Sequence, residues 1–175
     1  MNQQSNRPNS WVRIKISPDK LMRFFLDHLD RIYMAKMHLI RKLPELHQQA
    51  HFADLRNAIQ ETITAVEEQL TRLQMIYTIL DADVTYDSSS GLTGLIEDAF
   101  QAIESQSDEP ELQDLSIIFY LQNIESVEMA SFQILQMAAV NLKNKQVSTL
   151  LKENYEQAKA GRALFLLISS KYSVN

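Results

Sequence analysis

Two glutamates have the spacing that best fits chemistry in this chain. Glu125 and Glu128 fall on the apolar seam of a predicted helix, between Leu121 and Phe132. Glu-x-x-Glu spacing places both carboxylates on one face, about one helical turn apart. An unpaired buried charge costs several kcal/mol, so each carboxylate needs a cation, a metal ion or a proton. Carboxylates arranged in this way hold two metal ions in the core of some helix bundles.

The other predicted helices supply polar or small residues at what should be the same depth. We predict one buried polar layer made of Lys36, Thr62, Glu125, Glu128, Asn154 and Gln157. Small residues accompany them at Ala65, Ala158 and Gly161. We expect Lys36 to form an ion pair with one glutamate, while the other bonds a polar neighbour or water, or keeps its proton.

A metal site in this layer is the alternative. A dinuclear carboxylate site normally takes about four carboxylates and two histidines from four helices. The predicted layer offers two carboxylates, one lysine and no histidine. We therefore expect no metal and no cofactor. If a metal does bind, the ligands would be Glu125 and Glu128, holding Fe or Mn.

Other candidate groups are weaker. His47 and His51 stand four residues apart, a spacing that can bind a metal on a helix surface. They lie where the first helix should end, so we interpret them as solvated. The run Ser88-Ser89-Ser90-Gly91 lacks the Gly-x-Ser-x-Gly frame of a nucleophile elbow. We expect no catalytic residue.

Composition narrows the class of protein. The 175 residues are 45% apolar and 22% charged, with only three Gly and four Pro. Such low Gly and Pro content argues against an all-β fold and a Gly-rich phosphate-binding fold. Without Cys the chain has no disulfides, and it suits a reducing cytoplasm. We see no apolar run near the ~18 residues of a membrane span and no secretion signal, so we predict a cytoplasmic protein without membrane contact.

Charge is distributed unevenly around the net value of −5. Residues 1–51 carry nine Lys and Arg against four Asp and Glu. Residues 73–142 carry twelve Asp and Glu and no Lys or Arg. That acidic stretch would repel a phosphate backbone, so we expect no nucleic-acid partner.

Apolar periodicity predicts an all-α protein. Helical stripes run over about 17–49, 52–81, 92–103, 110–142 and 146–171, with a loop between the second and third. Pro44 should kink or end the regular part of the first helix. The steps of four and three along the second stripe are typical of a helix in a left-handed bundle. We therefore predict four long helices and one short helix.

The N-terminal residues form a separate segment in this interpretation. Residues 1–17 are predicted to be a flexible arm and residues 18–172 the bundle. Val12, Ile14 and Ile16 alternate with basic residues, which predicts an extended arm that lies on the bundle or on a partner subunit. Because the arm and the short helix leave apolar surface to cover, we expect a symmetric homodimer. Another protein partner for the basic arm is possible.

Several segments carry a resemblance to a known family. Residues 31–36 (RIYMAK) match a first-helix segment D-x-Y-x-A-E, and residues 94–99 (GLIEDA) match a helix start G-L-I-E-E. Residues 124–132 (IESVEMASF) match V-E-H-Y-E-I-A-x-Y. Leu43-Pro44 and residues 69–73 recur at family positions. The chain resembles the YciF-like family of ferritin-like bundles, bacterial proteins associated with stress, over about residues 18–172.

The resemblance implies a ferritin-like four-helix bundle with an additional short helix between the second and third long helices. Of the family's acidic and histidine positions that could ligate metal, only Glu125 and Glu128 remain. The others hold Lys36, Thr62, Ala65, Gln157 and Ala158. Lys36 puts a permanent cation where the metal charge would be. We expect a non-catalytic bundle with a degenerate metal site, acting through its surface; a redox or metal-storage protein is the alternative.

Overall fold

The computed structural model describes residues 14–85 and 91–172, and the regular structure in these ranges is entirely helical. Four helices are long and one is short, which confirms the predicted all-α architecture. In chain order they are α1 (Pro18–Gln49), α2 (Ala53–Leu80), α3 (Gly91–Glu104), α4 (Pro110–Asn141) and α5 (Lys145–Ser169). None of these helices is both long enough and apolar enough to cross a membrane.

Helix α1 begins at a conventional start signal and runs past its internal proline. Ser17 Oγ accepts a hydrogen bond from the Lys20 backbone N–H at 3.4 Å, and Pro18 occupies the first turn. Pro44 cannot donate to the preceding turn, yet the helix continues to Gln49. Leu43 and Leu46 on either side are fully buried, and their packing holds this last part of α1 in the bundle.

The turn from α1 into α2 is held by a residue from α4. No side chain of the turn caps α2 at Phe52. Instead, the buried carboxylate of Asp114 accepts hydrogen bonds from the backbone N–H groups of His51 and Phe52, at 2.9 and 2.8 Å. It also accepts one from the Tyr172 hydroxyl at 3.2 Å. Asp114 on α4 therefore connects the turn between α1 and α2 with the segment that follows α5, at one end of the bundle.

The four long helices enclose one core. Helix α1 packs on α2 and α4, and α5 packs on α2 and α4, so the order around the bundle is α1, α2, α5, α4. Residues 142–144 connect α4 to α5, with Lys143 in the left-handed conformation at φ 59°. So short a connection makes α4 and α5 an antiparallel pair. The largest side chains at the centre are Phe25, Phe132 and Phe165.

Helix α3 lies across α1 and α4. Its apolar residues Ile96, Ala99 and Ile103 are buried against its own bundle. Leu92, Leu95 and Phe100 are only half-buried, so α3 keeps part of the uncovered apolar surface that the sequence predicts. Its first turn begins at Gly91, one residue before the predicted start, and the predicted loop residues 86–90 lie outside the described residues.

The described end of the N-terminal arm stands away from the bundle. Ile14 is 91% exposed and Ile16 is 54% exposed. The alternative that the arm lies on its own bundle is therefore wrong for residues 14–16. A single short extended segment has no neighbouring strand to satisfy its backbone and too few apolar contacts to hold it. Trp11 and Val12 lie outside the described residues, so contact with a partner subunit stays a prediction.

Candidate functional site: a buried polar layer

An ion pair crosses the centre of the bundle. Lys36 projects from α1 and is completely buried, and the Glu128 side chain on α4 is almost as inaccessible. Lys36 Nζ donates a hydrogen bond to Glu128 Oε2. The ammonium also lies 5.9 Å from the centre of the Phe132 ring, within range of a cation–π contact. Of the two carboxylates that the sequence left open as partners, Glu128 is therefore the one bonded to Lys36.

The second glutamate is buried without such a partner. No residue that the structure describes donates a hydrogen bond to Glu125 Oε2. Burial, and next the negative charge of Glu128, raise the pKa of Glu125 from its ordinary 4.5 to about 8, against the lowering effect of Lys36. Glu125 therefore keeps its proton at neutral pH. The layer then contains one cation, one anion and one neutral acid, so its charges balance.

Space for Glu125 is made by a glycine on the facing helix. A Cβ atom added at Gly161 would lie 2.8 Å from Glu125 Oε1 and 3.2 Å from its carboxyl carbon. Distances below 3.0 Å force a displacement. A side chain at position 161 would therefore require the carboxyl end of Glu125 to move.

The remaining predicted members of the layer bond elsewhere. Thr62 is buried and its hydroxyl donates to the Ala58 carbonyl at 2.9 Å. Asn154 is completely buried, and its amide contacts the Gln69 carbonyl at 3.4 Å. No hydrogen bond joins Thr62 or Asn154 to Glu125 in the part of the chain that is described.

Gln157 was wrongly placed in the buried layer by the sequence interpretation. Its side chain is half-buried, and its Oε1 accepts a hydrogen bond from Arg72 Nη1 at 2.6 Å. The same guanidinium nitrogen donates to Asn154 Oδ1 at 3.2 Å, and Arg72 Nε pairs with Glu153 at 3.0 Å. Arg72 lies beside the apolar stripe of α2, so it draws Gln157 towards the α2–α5 seam and away from the glutamates.

Four further buried polar residues were missed by the sequence interpretation: Asp30, Gln69, Gln113 and Asp114. Gln69 is buried on the stripe of α2, and its position between apolar residues was the available signal. Asp30 is buried and accepts a hydrogen bond from the Tyr77 hydroxyl at 2.6 Å. Tyr77 also meets the Tyr33 ring edge-on, with centroids 5.8 Å apart. These contacts link α1 to α2 one to two turns from Lys36.

The residues of the layer do not fit a dinuclear metal centre. Within residues 14–85 and 91–172, no group of three or more His, Asp and Glu side chains could hold a metal ion. Of the two carboxylates in the layer, Glu128 is bonded to Lys36, and burial raises the pKa of Glu125 to about 8. His51 instead lies 3.6 Å from Asp114 through its Nδ1. This donor set is far from the four carboxylates and two histidines that such a centre uses.

Comparisons with known proteins agree with the fold. Residues 20–171 match a family described as a domain of unknown function, DUF892. Protein YciF of Escherichia coli K12 is 28% identical over 137 residues, which cover 78% of this chain and 82% of YciF.

Solved structures extend this likeness to three dimensions. The crystal structure of the E. coli stress protein YciF has a TM-score of 0.80 at 23% identity, covering 86% of this chain and 94% of that one. YcfI from Rhodopseudomonas palustris has a TM-score of 0.79 at 21% identity, covering 88% and 95%. At these identities the structural likeness shows the shared helical fold alone.

Proposed function

This chain belongs to the DUF892 family, and from that premise we propose that it is a non-enzymatic, stress-associated bundle protein that acts through its surface. The similarity to YciF, a stress protein of E. coli, supports the association with stress. The observation that carries the proposal is the buried ion pair of Lys36 with Glu128. In this proposal the Lys36 ammonium compensates the negative charge of the buried carboxylate, as a metal ion would otherwise do.

The energetics of the buried layer favour a permanent ion pair over an exchangeable metal ion. A metal ion that used Glu128 would have to displace the Lys36 ammonium, which has no solvent to enter. Separating a buried pair costs about 3–5 kcal/mol, because a charge is left uncompensated. The metal would also have to remove the proton from Glu125. Both costs act against binding, and neither is offset by a histidine ligand from the described residues.

Thermal unfolding with added metal tests this proposal. A metal that binds only the folded chain raises stability by RT ln(1 + [L]/Kd). We expect the same Tm with Fe²⁺ under anaerobic conditions, with Mn²⁺, and with EDTA. The titration is repeated at pH 8.5, where Glu125 has largely lost its proton. A metal-dependent rise in Tm that disappears in Glu128→Gln would contradict the proposal.

A redox or metal-storage protein with a minimal Fe or Mn site is the second candidate. The observation that favours it is the unpartnered Glu125 Oε2, directly beside a second carboxylate. The variant Lys36→Glu separates the two candidates, since it supplies a third carboxylate. We expect little or no gain in metal binding, because Thr62 and Ala65 still provide no ligand. Tight metal binding by the natural chain would favour the second candidate, whereas tight binding by the variant alone would show that Lys36 is the group that excludes metal.

The surface through which the protein would act includes an apolar patch on α4 and α5. Phe119 and Leu166 lie about equally far along the sequence from the 142–144 connection. Because α4 and α5 are antiparallel, the two residues lie at the same height along the bundle axis. The α4/α5 patch consists of Leu112, Leu115, Phe119, Leu166 and Leu167, each between 38% and 62% exposed. We propose that this patch is the contact of a symmetric homodimer.

The absence of Cys from the sequence supports a cytoplasmic location for the protein.

A further inference from the structure

An open groove lies between α1 and α4, beside the first turn of α3. Its volume is about 710 Å³, which is within the range of small-molecule sites. The walls are mainly apolar, formed by Phe24, Ile32, Leu92, Val127, Ala130 and Ile134. None of its lining residues belongs to the polar layer. Its α4 residues lie towards the C-terminal end of α4, whereas Leu112 and Phe119 lie towards the N-terminal end.

The one permanently charged residue among those that line this groove is basic. Arg31 and His28 line it from α1, and no Asp or Glu is among its lining residues. No described residue forms an ion pair with Arg31. Of the nearby acids, Asp30 accepts a hydrogen bond from the Tyr77 hydroxyl, and Asp27 lines a different cavity. An unpaired cation thus borders an apolar groove in a chain whose net charge is −5.

The polar atoms of the groove are arranged for a carboxylate rather than a peptide. His28 Nδ1 donates a hydrogen bond to the Phe24 carbonyl at 2.8 Å, so this ring proton is already used and Arg31 is the donor that remains for a carboxylate. The hydroxyls of Ser126 and Ser131 already donate to backbone carbonyls of α4, at 2.7 and 2.8 Å. An extended peptide would bring backbone groups that these hydroxyls could not satisfy as donors. An alkyl chain brings none.

We propose that this groove binds a free medium-chain fatty acid, with the alkyl chain on the apolar walls and the carboxylate on Arg31. A guanidinium group presents two parallel N–H donors that match a carboxylate, and it is always charged. Both properties of the ligand are thus specified: it is apolar along its length and anionic at one end.

Isothermal titration with decanoate, below its critical micelle concentration, tests the proposal on the full chain. We expect saturable binding of one ligand per chain. Affinity should fall roughly fourfold for each methylene removed towards octanoate, as burial of a methylene predicts. Decyltrimethylammonium has a similar chain and the opposite charge, and we expect it not to bind.

Three variants assign the site. Arg31→Gln should weaken decanoate binding about tenfold or more, since it removes a charge-assisted hydrogen bond. Ala130→Trp should abolish binding, because Ala130 is exposed and the indole would fill the groove without entering the core. Arg23→Gln is the matched control on the same helix, as Arg23 lines another cavity. We expect it to bind decanoate as the natural chain does.

Four outcomes would overturn the proposal. The natural chain could give no saturable binding, or Arg31→Gln could bind decanoate unchanged. Binding could appear only with phosphatidylglycerol vesicles and not with the free acid, which would make the partner a membrane surface. Lastly, Ala130→Trp could change the oligomeric state by light scattering, which would assign the groove to a contact between two copies of this chain.

Discussion

Lys36 is held by a balance of charge in the layer as well as by packing. Its ammonium is bonded to Glu128, and the neighbouring Glu125 adds no charge while it is protonated. The same residue would be costly in an apolar core, where no anion could compensate it. The free energy of unfolding should therefore depend much more on this ion pair than on the lysines of the surface.

Removing one partner should reveal that dependence. Lys36→Ala should lower the free energy of unfolding by roughly 3–5 kcal/mol, because it leaves Glu128 buried without a counter-charge. The double variant Lys36→Met/Glu128→Gln should recover much of the loss, because no ionised group is then left buried in the pair. Urea unfolding measures both. Lys20→Ala, at an exposed position in the first turn of α1, is the control. Equal effects of Lys36→Ala and Lys20→Ala would contradict the account.

Glu125 should make stability depend on pH. Its pKa is about 8 in the folded chain and near 4.5 in the unfolded chain, so the folded state binds more protons between these values. The stabilisation from the protonated group is fully present below about pH 4.5 and is lost as pH rises towards and through 8. Glu125→Gln cannot titrate, so the difference in unfolding free energy between natural chain and variant should change across this window.

The exposed Glu153→Gln supplies the control for that experiment. Its difference from the natural chain should stay nearly constant between pH 5 and 8. If the Glu125→Gln difference were equally constant, Glu125 would be ionised at neutral pH in the folded chain, and the charge balance proposed for the layer would be wrong.

Residue types on an apolar stripe were enough to predict that Lys36, Glu125 and Glu128 would be candidates for burial, because helical periodicity assigns each position to a face. Periodicity could not decide which glutamate bonds Lys36, since both lie on the same face. The choice depends on the axial offset of α1 and α4. It also could not place Gln157, because the partner that turns it outward, Arg72, lies beside the stripe on another helix.

Helix α5 is shaped by its contact with α4 at Gly161. Glycine in a helix interior normally costs about 0.5–1 kcal/mol relative to alanine. At Gly161 the added methyl group would meet Glu125 Oε1 at 2.8 Å, whereas at Gly94 on α3 it would meet nothing within 4 Å. Two glycines of one chain thus provide a matched comparison.

We therefore expect Gly94→Ala to stabilise the chain by about 0.5–1 kcal/mol and Gly161→Ala to give no such gain. In a Glu125→Ala background the obstacle is gone, so Gly161→Ala should then stabilise by a similar amount. Urea unfolding of the four variants measures the coupling. An equal gain at both glycines in the natural background would show that Glu125 is not packed against α5.

The helices themselves were largely predictable, and their connections were less so. Apolar periodicity and the start of α1 at Ser17 and Pro18 depend on neighbouring residues only. The turn into α2 is capped by Asp114. This residue lies more than sixty residues away in the sequence from the two backbone N–H groups that donate hydrogen bonds to it. The groove at Arg31 likewise depends on how α1, α3 and α4 pack, which no stripe on one helix specifies.

The assembled molecule should pair through the α4/α5 patch. Phe119→Glu and Leu166→Glu should shift the chain towards monomer, because a carboxylate in an apolar contact must be desolvated. Size-exclusion chromatography with light scattering measures the mass over a range of concentrations. Met75→Glu, at an exposed apolar position on α2, should leave the mass unchanged. A natural chain that is monomeric at high concentration would refute the proposed homodimer.

The claim that a lysine ammonium replaces metal in this bundle is tested most directly by metal content. The natural chain is purified without chelators from cells grown with added iron and manganese, and the metals are counted by plasma mass spectrometry against protein concentration. We expect far less than one Fe or Mn ion per folded chain, because Lys36 holds Glu128 and Glu125 is protonated. One or more ions per chain, lost in Glu125→Gln and Glu128→Gln, would contradict the account.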